Sequence, residues 1–133
     1  MAAQGRKNVH GKSGVRFRTA YTPSKNKAML RDVVSSLIVN GSVKVTSGVS
    51  KDLISLAEHL VTLAKAGDLS SRRQAARVVR SGIADSNGVS ALEKLFKEIG
   101  PKFKSRNGGY TQSFKLGHRK GDNAAVELIK WVD

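Results

Sequence analysis

The chain contains no cysteine. That excludes a disulfide scaffold, a thiolate zinc site, an iron–sulfur cluster and a cysteine nucleophile. Aromatic residues are only 5% of the total, so aliphatic side chains have to do most of the packing. Acidic residues are scarce: 10 Asp+Glu stand against 24 Lys+Arg in 133 residues, a formal net charge of +14. No run approaches the ~18 consecutive apolar residues of a membrane helix, so no membrane partner is expected. The opening Met1-Ala2-Ala3-Gln4-Gly5-Arg6-Lys7 lacks an apolar h-region, which argues against a secretory signal. A transit peptide would also be basic and acid-poor. This segment, however, has no amphipathic period and holds Gly5, Gly11 and Gly14.

What is present is charge, unevenly placed. So large an excess destabilises a small fold by self-repulsion unless a polyanion neutralises it. The candidates are nucleic acid, an anionic membrane and an acidic protein. No Asp or Glu precedes Asp32, and a second acid-free stretch lies between Glu98 and Asp122. The length suits one domain with a modest core. Residues 1–21 are rich in Gly, Ser, Asn and cations and show no period. They read as a basic N-terminal arm, disordered when free and ordered along phosphates on binding. Residues 22–133 read as the globular domain.

Thr22 is a good N-cap for a first helix that starts at Pro23. Met29, Leu30, Val33, Val34, Leu37 and Ile38 keep helical spacing up to the Asn40-Gly41 stop. Val43 to Thr46 is a small strand or an extended connection. A second helix runs from Ser47 or Ser50 to Ala66, with Gly67 ending it. A third is expected over 70–81. There Arg73, Arg77 and Arg80 would form one basic stripe, with Arg72 beside it. A fourth covers 91–99, opened by the capping box Ser90-Ala91-Leu92-Glu93 and ended by Gly100-Pro101. Residues 110–116 alternate as a strand does. Ala124 to Val132 reads as a last strand, with a short helix as the alternative. Helices first and strands late indicate an α+β domain. The expected fold is a single compact domain of about four helices packed on a small mixed β-sheet, with the basic arm extended from it.

Enzyme chemistry finds no support. His10, His59 and His118 lie far apart, and no HExxH follows His59. The glycines of 5–14 and 117–121 match neither GxxxxGK[ST] nor GxGxxG. No serine sits in a nucleophile elbow. No metal, no cofactor and no small-molecule substrate is expected.

Nucleic-acid binding is supported. An arginine stripe can grip phosphates bidentately. The stretch from Lys102 to Lys120 mixes cations with Phe103, Tyr110 and Phe114. Phe103 and Phe114 are expected in the core, whereas Tyr110 is either core or a platform for a base or ribose. No zinc-finger spacing or heptad array appears. A helix-turn-helix over 51–81 would present phosphate-binding arginines rather than base readers. The composition therefore favours RNA or nonspecific duplex binding.

Several blocks then resemble one family. Lys27-Ala28-Met29-Leu30-Arg31-Asp32 comes first. Val61-Thr62-Leu63-Ala64-Lys65-Ala66-Gly67-Asp68 follows and leads into Arg72-Arg73-Gln74-Ala75-Ala76-Arg77. Leu95-Phe96-Lys97-Glu98-Ile99-Gly100-Pro101-Lys102-Phe103 runs on to Arg106-Asn107-Gly108-Gly109-Tyr110-Thr111, and Gly121-Asp122-Asn123-Ala124 closes the series. In this order, over roughly residues 22–133, they resemble the bacterial large-subunit ribosomal protein L-seventeen family. Two features depart from it: the basic opening motif is stretched over Arg6 to Arg18, and Ala125 stands where the family tends to carry Pro.

The resemblance implies a structural protein of the cytoplasmic ribosome rather than an enzyme. It would bind large-subunit ribosomal RNA and neighbouring ribosomal proteins near the nascent-chain tunnel exit. The expected RNA-binding residues are Arg6, Lys7, Lys12, Arg16 and Arg18 of the arm and Lys25, Lys27 and Arg31 of the first helix. Arg72, Arg73, Arg77 and Arg80 join them, with Lys102, Lys104, Arg106, Tyr110, Lys115, Arg119 and Lys120. The alternative is a nonspecific nucleoid-type DNA- or RNA-binding protein outside the ribosome.

Overall fold

A computed structural model describes residues 23–133 of the chain. The expected arm and the Thr22 cap lie outside the described residues. Helix α1 (Pro23–Asn40) turns its Val34, Leu37 and Ile38 inward, as their spacing predicts. It stops at Gly41, whose φ of 82° suits glycine and whose N–H donates to the Leu37 carbonyl at 2.9 Å. Strand β1 (Ser42–Thr46) follows. Helix α2 (Ser47–Ala66) buries Leu53, Ala57, Leu60, Val61 and Ala64 at three- and four-residue intervals, the central stripe of the core. Gly67 ends it in the left-handed conformation.

Helix α3 (Leu69–Ala76) is capped by the Asp68 carboxylate, which accepts from the Ser71 N–H at 2.8 Å. It is shorter than the expected 70–81. After Ala76 the bonds tighten to Arg77 N–H→Gln74 O and Val78 N–H→Ala75 O, and Val79 turns into the core. The Arg80 N–H then donates to the Ser35 hydroxyl of α1 at 2.9 Å, so tertiary contacts take over from the helix.

Helix α4 (Ala91–Lys94) starts where expected, with the Ser90 hydroxyl accepting from the Glu93 N–H at 3.3 Å, but the Glu93 side chain does not return the bond, so only half of the expected capping box forms. The helix does not end at Gly100-Pro101. It widens into a π-helical stretch (Leu95–Ile99) and continues as a last turn, α5 (Gly100–Lys102). Pro101 lies at the start of that turn and has no N–H to give to the carbonyls of the preceding π-helical run. Gly100 packs close to α2: a Cβ there would lie 3.0 Å from the Ala64 carbonyl oxygen.

Strands β2 (Thr111–His118) and β3 (Ala125–Trp131) form a hairpin. The sheet order is β1-β3-β2 and both pairings are antiparallel. The α+β class stands, but the sheet is antiparallel rather than mixed. The short return through 119–124 makes β3 antiparallel to β2, and β3 then inserts between the other two strands. A bulge at Lys115/Gly117 bends β2. Ile129 and Trp131 point inward, and the Glu127 carboxylate accepts from Ser50 of α2. The Trp131 indole N–H reaches the Leu37 carbonyl at 3.2 Å, and Phe103 packs between the rings of Tyr110 and Trp131. Among the described residues, no helix is long and apolar enough to cross a membrane.

Candidate nucleic-acid interface

The cations fall into three regions, each built by a different local structure. The first is a pair of grooves where α1, α2 and α3 meet. One, about 510 Å³, is lined by Asn26, Lys27, Leu30, Arg31, Asp52, Ser55, Leu56, Arg77 and Val78. The other, about 490 Å³, is lined by His59, Ser70, Arg73, Gln74, Arg77 and Val78, with no carboxylate among them. Arg77 and Val78 belong to both, so the grooves adjoin. Arg73 and Arg77 are exposed, as are Lys25 and Lys27 at the start of α1.

Two neighbours that the sequence groups with them serve the fold. Arg31 donates from Nε to the Val78 carbonyl at 3.0 Å, pinning the turn after α3 onto α1. Arg80 lies beyond the helix end, so the expected stripe over Arg73, Arg77 and Arg80 does not form. Its Nε donates to Asp32 at 2.8 Å and its Nη2 to the Ala28 carbonyl at 3.3 Å. Arg72 is half-buried, with its guanidinium 5.3 Å from the centre of the Phe96 ring.

The second region follows the last turn of α5. Lys102 and Lys104 are exposed, and the Lys102 ammonium lies 5.2 Å from the Phe103 ring centre. Arg106 donates from Nε to the carbonyls of Gly108 and Gly109, bracing the Asn107-Gly108-Gly109 turn. Tyr110 is not an open platform. It is 5% exposed, its ring packs on Phe103, and its hydroxyl donates to the Arg106 carbonyl. Its backbone N–H donates to Glu58 and Lys65 donates to its oxygen at 3.0 Å. The core has taken this ring because it completes the cluster under Trp131.

The third region is the β2–β3 hairpin. Lys115 and Lys120 are exposed. Arg119 is engaged with Asp122 through Nε and Nη2, closing the loop at 119–122. That pairing, together with the Ala124 N–H, holds the Asp122 carboxyl down to about 2, and it raises Arg119 further. Phe103 is in the core as expected, but Phe114 is 45% exposed. It is on the face of the sheet turned away from α2. Lys44 of β1 and Lys130 of β3 share that face and escape the reading of charge runs, because each is isolated in sequence. Strand parity counted from Ile129 and Trp131 was the only signal for them. Arg6, Lys7, Lys12, Arg16 and Arg18 lie outside the described residues. Among the described residues, no group of three or more metal-ligating side chains occurs.

Fold and surface together define a small, strongly basic α+β protein with its free cations along open grooves and strand surfaces, a form suited to a polyanion. Residues 29–132 match the family model of ribosomal protein L17, and the chain belongs to that family. It is 46% identical over 112 residues to the large ribosomal subunit protein bL17 of Shouchella clausii (strain KSM-K16), covering 84% of this chain and 93% of that one. The protein of the same name in Oenococcus oeni (strain ATCC BAA-331 / PSU-1) is 41% identical over 124 residues, covering 84% and 94%. That of Lactiplantibacillus plantarum (strain ATCC BAA-793 / NCIMB 8826 / WCFS1) is 43% identical over 119 residues, with the same shares.

Proposed function

We infer that the chain is a structural constituent of the large ribosomal subunit and works by binding and stabilising ribosomal RNA. The observation that carries this reading is the acid-free groove of Arg73 and Arg77 in a member of a ribosomal protein family. The adjoining groove, which Arg31 helps to frame by holding Val78, adds Lys27, and the hairpin adds Lys115 and Lys120. Arginines placed along a groove meet phosphate oxygens in pairs, and release of counterions from the RNA drives association. The basic arm, Lys25, Lys102 and Lys104 extend the same contact. A place near the nascent-chain tunnel exit, beside other large-subunit proteins, rests on the family resemblance. So does a location on cytoplasmic ribosomes. No small-molecule substrate or cofactor enters this reading.

The test is sedimentation of a lysate through sucrose gradients at low and high monovalent salt, with the chain detected by blot. Co-migration with the large subunit that survives high salt is expected. A position at the top of the gradient would favour the nucleoid-type reading. Arg73→Glu with Arg77→Glu should weaken binding to large-subunit RNA while leaving the circular dichroism unchanged, because both side chains are exposed. Arg80 is left out of that variant, since its loss would break the contact with Asp32.

A further inference from the structure

The face of the sheet turned away from α2 has a composition that the fold does not need. Ile129 and Trp131 are buried on the inner face, so Leu128 and Lys130 point outward. Register places Lys44, Leu128 and Phe114 in one row across the three strands. The next row holds Lys130 beside Ser42 and Gln112. No carboxylate belongs to either row. Asp133, beyond the end of β3, lies 4.0 Å from the Lys130 ammonium and is almost wholly exposed, so solvent screens that pair. The Phe114 ring is 45% exposed, with the Lys130 ammonium 5.7 Å from its centre.

A half-exposed aromatic ring at the sheet edge, with lysines on the two strands beside it, fits a planar apolar group joined to negatively charged neighbours. An unpaired nucleotide has that form. A base inside a duplex does not, since its faces are already stacked. A second copy of this chain is disfavoured by its own charge of +14. We propose that the outer sheet face is a platform for single-stranded ribosomal RNA: one unpaired base stacks on Phe114 of the edge strand β2, and Lys130 and then Lys44, on the two strands to one side of it, hold successive phosphates of the strand as it runs across the sheet. Stacking on aromatic side chains at a sheet surface is a general mode of single-strand recognition. This inference rests on the RNA-binding reading above and adds a second mode to it, since the grooves take phosphates and the sheet takes a base.

The test uses the full-length chain and protein-free large-subunit ribosomal RNA at fixed salt. Phe114→Leu keeps an apolar side chain but removes the π face. It should weaken binding by about fivefold to a hundredfold, the range for losing one stacked base. Phe114→Tyr keeps the face and should stay within about twofold on the same argument. Neither change removes a charge, so the slope of affinity against salt should not move. Ultraviolet cross-linking should join the Phe114 peptide to a single-stranded nucleotide. Thermal melts of both variants show that each folds. If Phe114→Leu binds as the parent does while Arg73→Glu/Arg77→Glu binds weakly, the platform is wrong and the RNA reading stands. If neither variant weakens binding, both fall. If Phe114→Leu binds naked RNA normally but enters whole subunits poorly, the face meets a neighbouring protein and the platform is overturned.

Discussion

At the scale of residues, the cations differ by what each already holds. Arg31, Arg80, Arg106 and Arg119 donate to groups of this chain, whereas the side chains of Arg73, Arg77, Lys115 and Lys120 are exposed and make no such hydrogen bond among the described residues. Asp122 records one such commitment. Its carboxyl is lowered from 3.8 to about 2, first by the Arg119 hydrogen bond and then by the Ala124 N–H. A carboxyl depressed in the fold contributes stability above its unfolded value and loses it as pH falls through the folded one. The loop at 119–122 should therefore hold at neutral pH and loosen between about pH 4 and pH 2. A carboxyl carbon titration of Asp122 by NMR should give a midpoint near 2. Arg119→Gln should return that midpoint toward 3.8, and an unchanged midpoint would mean that Arg119 does not hold the carboxylate. The sequence showed the charges of these residues but not their partners. Tyr110 and Phe114 make the same point, since only long-range packing decides which ring fills the core and which stays at the surface.

At the scale of elements, the helices were legible where apolar residues recur every three or four positions, as in α1 and α2. The end of α3 was not, because it depends on Val79 entering the core and on Ser35 of a distant helix accepting from Arg80. The sheet's order was hidden for the same reason: β1 and β3 pair across most of the domain. The run through Gly100-Pro101 shows local rules yielding to contact. Helix propensity alone favours alanine over glycine by about 1 kcal/mol. Here an added methyl would meet the Ala64 carbonyl oxygen at 3.0 Å and the Ala64 Cβ at 3.2 Å. The two nearest atoms belong to the Ala64 backbone in the last turn of α2, which gives way less easily than the end of a flexible side chain. Gly100→Ala should destabilise the protein by about 1–3 kcal/mol, the usual cost of overpacking. Urea unfolding measures it; a gain in stability would show that α2 and the π-helical run can part without cost.

At the scale of the whole molecule, excess charge acts in opposite directions on folding and on binding. The whole chain carries a net charge of +14, and its described fold has a core of aliphatic residues and a few rings. Free in solution, the chain suffers repulsion among cations that ordinary salt screens over about 10 Å at 0.1 M. Raising sodium chloride from about 20 to 200 mM, a range that shortens this screening length about threefold, should therefore raise the melting temperature of the free protein. On the proposed RNA-binding function, the same salt should weaken binding to RNA, since counterion release contributes less as bulk salt rises. On simple nucleic acids the log–log slope is roughly −0.7 to −0.9 per neutralised phosphate. On that proposal the two trends cross in sign because one repulsion underlies both: bound RNA would supply the screening that salt otherwise provides. Melts followed by circular dichroism across the salt series, beside filter binding on the same preparations, measure the pair. A melting temperature that stays flat or falls would mean the cations of the free chain are already neutralised by its own groups. In that case counterion release would drive binding less than the grooves at Arg73 and Arg77 require.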